Sequence, residues 1–164
     1  MLHPKITLTE QSLIHQRGLI ASETIYRGEV VWKRDPDETI IPLSEVEQWS
    51  KEKQEEFIWV AYQCSPDEYI LPKGIDRYMN HSCDPNTWWI DDETLVANRQ
   101  IQAGEEVTYD YATSDISMDF QMECKCGSPS CRGIVSNKDH LKPEWQKKYG
   151  DHLPSYILKV VAER

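Results

Sequence analysis

Eight residues in the last third of the chain, "CKCGSPSC", set Cys124, Cys126 and Cys131 in a C-x-C-x4-C pattern on a loop of Gly, Ser and Pro. Three thiolates this close in sequence can face one metal ion without help from the rest of the fold. Structural zinc takes four N or S ligands in a tetrahedron, so the loop needs a fourth from elsewhere. The fold must then bring that ligand to residues 124–131. Cys83 is the natural choice. It sits in "RYMNHSCDPN", a stretch crowded with turn formers, where a cysteine presents its sulfur instead of burying it. Cys64 and His81 are the rivals. The five cysteines are an odd number, and an intracellular setting, expected here, disfavours structural disulfides.

That setting is inferred from what the sequence lacks. No apolar run approaches the length of a membrane span, and the start "MLHPKITLTE" carries no signal-peptide core. No membrane association is expected. At 164 residues the chain fits one domain with a real core. The net charge of -10 argues against a direct grip on nucleic acid, which needs clustered Lys and Arg. It suits a basic protein partner, although most acidic balances only keep a protein soluble.

Many short strands and few helices are expected. "GLIASETIYRGEVVWK" reads as strand, turn, strand, centred on Arg27-Gly28. Ser44 opens a helix with Glu47 as its capping-box partner and Trp49, Phe57 and Val60 on its inner face. "TWWIDDETLVANRQI" reads as two strands joined at Asp91-Asp92. "EEVTYDYA" is a further strand, and short helices run through "PEWQKKY", stopped by Gly150, and through "PSYILKVVAER". The class is β-rich α+β. Trp88 and Trp89 point to opposite faces of their strand.

Three motifs in order, "RYMNHSCDPN", "LVANRQIQAGEEVTYDYA" and "CKCGSPSCRG", strongly resemble the SET-domain protein lysine methyltransferases with a post-SET zinc loop. The resemblance runs from roughly Gly18 to Gly133. It implies small sheets around a knot-like active site, with S-adenosylmethionine on one side and the substrate lysine entering from the other. It implies that Cys83 is the fourth ligand of one zinc ion, with Cys124, Cys126 and Cys131. Asn80 resembles the side chain that bonds the cofactor's amino acid moiety, and His81, Arg17, Gly18 and Tyr111 fall at the other cofactor positions. Tyr111 resembles the catalytic tyrosine, and Tyr109 the position that governs how many methyl groups fit. One departure is Gln16-Arg17-Gly18, where the family usually has Gly-x-Gly. The implied divisions are a SET domain over 5-115 with a helical insert at about 44-63, a zinc-binding loop over 116-135, and a helical tail over 136-164.

Methyl transfer from a sulfonium to an amine needs alignment and a neutral lysine. Lysine is charged in water, with a pKa of about 10.4, and a narrow aromatic channel disfavours the ammonium by desolvation. Tyrosines suit such a channel because each offers an apolar wall with one polar tip. Tyr62 and Tyr69 are further wall candidates. Trp145 is a candidate cover for adenine, though helix packing suits it better. The expected partner is a lysine-containing basic protein, a histone being possible, in the nucleus of a eukaryote or the cytoplasm of a bacterium. The rival readings are a catalytically silent SET-like module that binds a lysine-containing segment, and a zinc-stabilised interaction domain without cofactor.

Overall fold

A computed structural model describes residues 1–163, and its architecture is the β-rich α+β class expected. In chain order the strands are β1 (Ile6–Thr9), β2 (Gly18–Ala21), β3 (Val30–Lys33), β4 (Thr39–Pro42), β5 (Tyr62–Ser65) and β6 (Glu68–Leu71). They continue with β7 (Asn80–His81), β8 (Thr87–Trp89), β9 (Thr94–Ala97), β10 (Glu106–Tyr109), β11 (Gln121–Glu123) and β12 (Ile134–Ser136). The helices are α1 (Leu43–Val46), α2 (Lys51–Ile58), α3 (Pro143–Tyr149) and α4 (Ser155–Ala162), with single 3-10 turns at Ile75–Tyr78, Tyr111–Thr113 and Asp139–Leu141.

Strands this short cannot bury enough surface in one sheet, so four small sheets share the work, ordered β1-β2-β10-β7, β3-β9-β8, β4-β6-β5 and β11-β12. The main core lies among the first two. Ile6, Leu19, Val31, Leu95 and Val107 are all buried there, beside Ile25 and Ile101 from the connecting loops. Trp32 crosses Trp89 and Tyr62 edge-on, with ring centroids 5.9 and 5.3 Å apart. Burying an aliphatic side chain of this size contributes about 1.5–3 kcal/mol.

The pairing that positions the site is the smallest. β7 lies parallel to β10, with Asn80 opposite Thr108 and His81 opposite Tyr109. Ser82 N–H then donates to Tyr109 O at 3.1 Å. A parallel pair needs a long crossover. Here the chain from β7 to β10 supplies it, carrying the β8–β9 hairpin on the way. Two turns far apart in sequence are thereby set side by side.

The local expectations hold in part. β2 and β3 form on either side of the turn, where Gly28 takes φ +87, but they do not pair with each other. β2 pairs with β1 and β10, and β3 with β9, because each buries its apolar face better there. The single helix from Ser44 is instead α1 followed by α2, and the cap is Ser50, whose hydroxyl accepts from Lys53 N–H. Val60 falls outside α2 and is exposed, whereas Phe57 is buried as expected. The β8–β9 hairpin forms as read, with Trp89 buried. Trp88, on the other face, stacks on His152 at 3.6 Å. Pro143 opens α3, and Gly150, at φ +55, ends it.

Candidate active site

The strands β11 and β12 frame the cysteine loop, and its three sulfurs converge on the turn after β7. The Sγ atoms of Cys83, Cys124, Cys126 and Cys131 all lie within 4.8 Å of one another. Four sulfurs at about 2.3 Å from a central zinc would stand about 3.8 Å apart, and Cys83 and Cys124 are 3.7 Å apart. The donor set therefore fits a closed tetrahedral ion. Cys64 takes no part. It is buried in β5 and donates to Glu68 O. Arg132 N–H donates to Cys83 Sγ at 3.3 Å, and His81 Nε2 lies 3.3 Å from the same sulfur. Because His81 Nδ1 accepts from Tyr111 N–H, the ring proton belongs on Nε2, aimed at Cys83. Burial lowers the His81 pKa to about 4, keeping the ring neutral.

Asp110, between the two tyrosines, ties this cluster to the strand end. Its carboxylate accepts two bonds from the Arg132 guanidinium at 2.6 and 2.7 Å, one from Tyr149 O–H at 2.7 Å and one from Trp145 Nε1 at 3.2 Å. It also caps the following turn through Ala112 N–H. Burial works against its charge, yet Arg132, His81 and Tyr149 hold its pKa below the usual value. The Arg132 Nε is 2.8 Å from Asp139, although not well aligned for a hydrogen bond. Residues from the cysteine loop and α3 thus clamp the turn that carries Tyr109 and Tyr111.

Two cavities meet at that turn. A narrow one of about 60 Å³ is walled by Trp32, Tyr62, Met79, Trp89, Tyr109 and Tyr111. A wide cleft of about 840 Å³ is lined by Arg17, Tyr78, Asn80, His81 and Met122, among others. Tyr111 lines both, together with Trp59, Val60 and Arg77. The first admits a side-chain tip, and the second is large enough for a small-molecule cofactor. The Tyr111 hydroxyl donates to Met79 O at 3.1 Å, so its lone pairs remain to accept. The rings of Tyr109 and Tyr111 are 4.9 Å apart, and burial raises the pKa of both hydroxyls, keeping them protonated.

On the cleft side, Asn80 Nδ2 donates to Arg17 O at 2.6 Å and to Glu106 Oε1 at 2.7 Å. These acceptors, with Ser12 Oγ at 3.2 Å, fix the amide's orientation and leave Oδ1 as the atom for a ligand's donor. Ser12 O–H holds Glu106 at 2.8 Å.

The SET domain profile matches residues 16–112. The chain belongs to the SET-domain family. The histone-lysine N-methyltransferase ASHH3 of Arabidopsis thaliana is 34% identical over 156 residues, 89% of this chain and 41% of that protein. An H3 lysine-36 specific histone-lysine N-methyltransferase of Mycosarcoma maydis is 34% identical over 106 residues, 58% of this chain and 11% of that one. The chain thus spans less than half the length of these relatives. The solved methyltransferase domain of human histone-lysine N-methyltransferase SETMAR superposes with a TM-score of 0.59 at 21% identity. It covers 82% of this chain and 58% of that chain, a likeness of fold.

In this SET domain Arg17, Asn80, His81 and Tyr111 line the cleft, and Tyr109 and Tyr111 the narrow cavity. Gly18 stands behind the cleft wall. A Cβ there would come within 2.3 Å of Glu106 Oε1 and 3.0 Å of Asn80 Nδ2, so the glycine makes room for the side chains that orient Asn80. Tyr62 is a wall residue, whereas Tyr69 is fully buried core. Trp145 packs against Tyr149 and bonds Asp110, and it does not line the cleft. Sequence reasoning missed Glu106, Ser12, Asp110, Arg132 and Trp59. Asp110, enclosed by two site tyrosines, Arg132, next to a site cysteine, and Glu106, inside the motif that carries the resemblance, had a positional signal.

Among the described residues, no helix is long and apolar enough to cross a membrane.

Proposed function

We propose that this SET domain is a protein lysine N-methyltransferase that uses S-adenosylmethionine, with a histone as the substrate that the names of its relatives favour. One observation carries the reading: Tyr111 stands where a cofactor-sized cleft meets a side-chain-sized aromatic cavity. S-adenosylmethionine, when bound, supplies an electrophilic methyl group on a sulfonium. Asn80 Oδ1, with Arg17 and His81 beside it, holds the amino acid end in the cleft, and Gly18 keeps the space behind Asn80 open. Trp32, Tyr62, Trp89 and Tyr109 strip water from the lysine side chain, which favours the neutral amine. The Tyr111 oxygen, its proton engaged by Met79 O, accepts an N–H and aims the nitrogen lone pair along the line between the two cavities.

Cys83, Cys124, Cys126 and Cys131 would hold one structural zinc ion. It would close residues 116-135 onto the SET domain of 5-115, with 136-164 as a helical tail whose last residue lies outside the described residues. A histone substrate would place a eukaryotic chain in the nucleus. The silent-module reading asks the site to keep both cavities and Tyr111 for no chemical end, and nothing favours it.

Tyr111→Phe tests the proposal. The ring stays and the acceptor goes, so transfer of tritiated methyl to core histones should fall about a hundredfold, equivalent to about 3 kcal/mol. Cofactor affinity by calorimetry should stay within a few-fold. A variant that turns over nearly as fast as the parent would show Tyr111 to be packing only.

A further inference from the structure

Two buried acids lie five residues apart near the site, and their surroundings differ. Asp110 is saturated by Arg132, Tyr149, Trp145 and Ala112. Asp115 is 5% exposed and has neutral donors alone: Gln63 N–H at 3.0 Å to Oδ1 and Ser114 O–H at 2.9 Å to Oδ2. Among the described residues no cation offsets its burial. A buried carboxylate without a counter-charge is costly. Holding Gln63 N–H needs only an acceptor, which an asparagine would supply. The charge calls for another account, and position offers one. Asp115 lines the narrow cavity together with Tyr62, Tyr109 and Tyr111.

We propose that Asp115 is the proton acceptor for the substrate lysine in that cavity. The inference rests on the reading of the chain as a lysine methyltransferase. The ammonium enters, pairs with the Asp115 carboxylate and transfers one proton to it. The N–H bond breaks with its electron pair left on nitrogen, and an O–H bond forms on Asp115, turning an ion pair into a neutral pair. The freed lone pair then displaces the sulfonium's thioether from the methyl carbon, whose C–S electrons go to sulfur. Asp115 returns its proton to solvent when the product leaves.

The surroundings suit this role. Burial raises the Asp115 pKa to about 7, near the value at which a general base works best at neutral pH. Desolvation and the nearby sulfonium lower lysine from about 10.4, which narrows the gap. The titratable groups facing Asp115 are Tyr69 of β6, Tyr109, Tyr111 and Tyr156 of α4, all with raised values and neutral across this range. Asp76, held by Trp32 Nε1, and the exposed Arg77 also line the cavity.

Asp115→Asn keeps the acceptor for Gln63 and removes the charge. The probe is a lysine-centred peptide pool with tritiated S-adenosylmethionine. Cofactor affinity should hold, kcat should fall about a hundredfold, and the inflection of kcat/KM near pH 7 should vanish. A variant within about threefold of the parent, or one that is slower but keeps the inflection, overturns the role. If circular dichroism shows that the variant does not fold, the parent's own profile decides: no inflection between about pH 6 and 8 refutes the proposal. A parent that binds cofactor yet methylates no peptide overturns the methyltransferase reading and this inference with it. A parent that methylates beside an unaffected Asp115→Asn overturns this inference alone.

Discussion

Replacing Asp110 by Asn should loosen the clamp that joins the cysteine loop and α3 to the tyrosine turn. Asn has the same shape, so packing is preserved and the loss is electrostatic. Arg132, whose side chain is 14% exposed, loses a bidentate partner at 2.6 and 2.7 Å. The new amide also points N–H at donors from Arg132, Tyr149 or Trp145, leaving at least one of them unpaired. Breaking a buried ion pair from one side costs about 3–5 kcal/mol. Asp139, 2.8 Å from Arg132 Nε, still offsets part of that charge, so the lower end, about 3 kcal/mol, applies. In a domain of this size each kcal/mol moves Tm by about 2–4 °C, giving a fall of roughly 6–12 °C. Because the folded-state pKa of Asp110 is depressed, its contribution is complete above the unfolded value of about 3.9 and is lost as pH falls through the folded value. The parent's Tm should therefore drop more steeply than the variant's as acid is added below about pH 4. Thermal unfolding followed by circular dichroism, at neutral pH and through that acid range, measures both. A Tm within about 2 °C of the parent's, with parallel acid profiles, would show that the network contributes no net stability.

Cys83→Ser should abolish zinc retention while Cys64→Ser keeps about one ion per chain, because Cys64 lies outside the sulfur cluster. Elemental analysis after dialysis decides, and zinc held by the Cys83 variant would break the four-sulfur assignment. Tyr109→Phe should shift the product toward higher methylation states with activity retained. Removing the hydroxyl frees space that an ordered water would otherwise hold, at a cost of about 0–2 kcal/mol for that water. Mass spectrometry of a methylated peptide reads the shift, and a parent that already trimethylates efficiently would show that Tyr109 sets no limit.

The chemistry that is local in the chain was legible in the sequence. C-x-C-x4-C sets three sulfurs within one loop's reach, and Gly28, Pro143 and Gly150 act on their own backbones, so the Gly28 turn and both ends of α3 fell where expected. The resemblance added Asn80, Tyr109 and Tyr111, and agreed with Cys83, which its polar turn had already marked. The structure brings those four cysteines together and sets the other three on the two cavities. Partner choice was not legible. β2 and β3 are adjacent in sequence and read as strand, turn, strand, yet each strand pairs where its apolar face is covered, and that depends on strands dozens of residues away. Ser44 and Ser50 both carry a capping hydroxyl, and only the packing of Phe57 and Trp49 selects the second. The two acids show the same limit most sharply. Asp110 and Asp115 look alike as residues near a tyrosine. The ion pair of one and the bare charge of the other are set by Arg132 and Gln63, 22 and 52 residues away, and only chain folding determines which of them arrives.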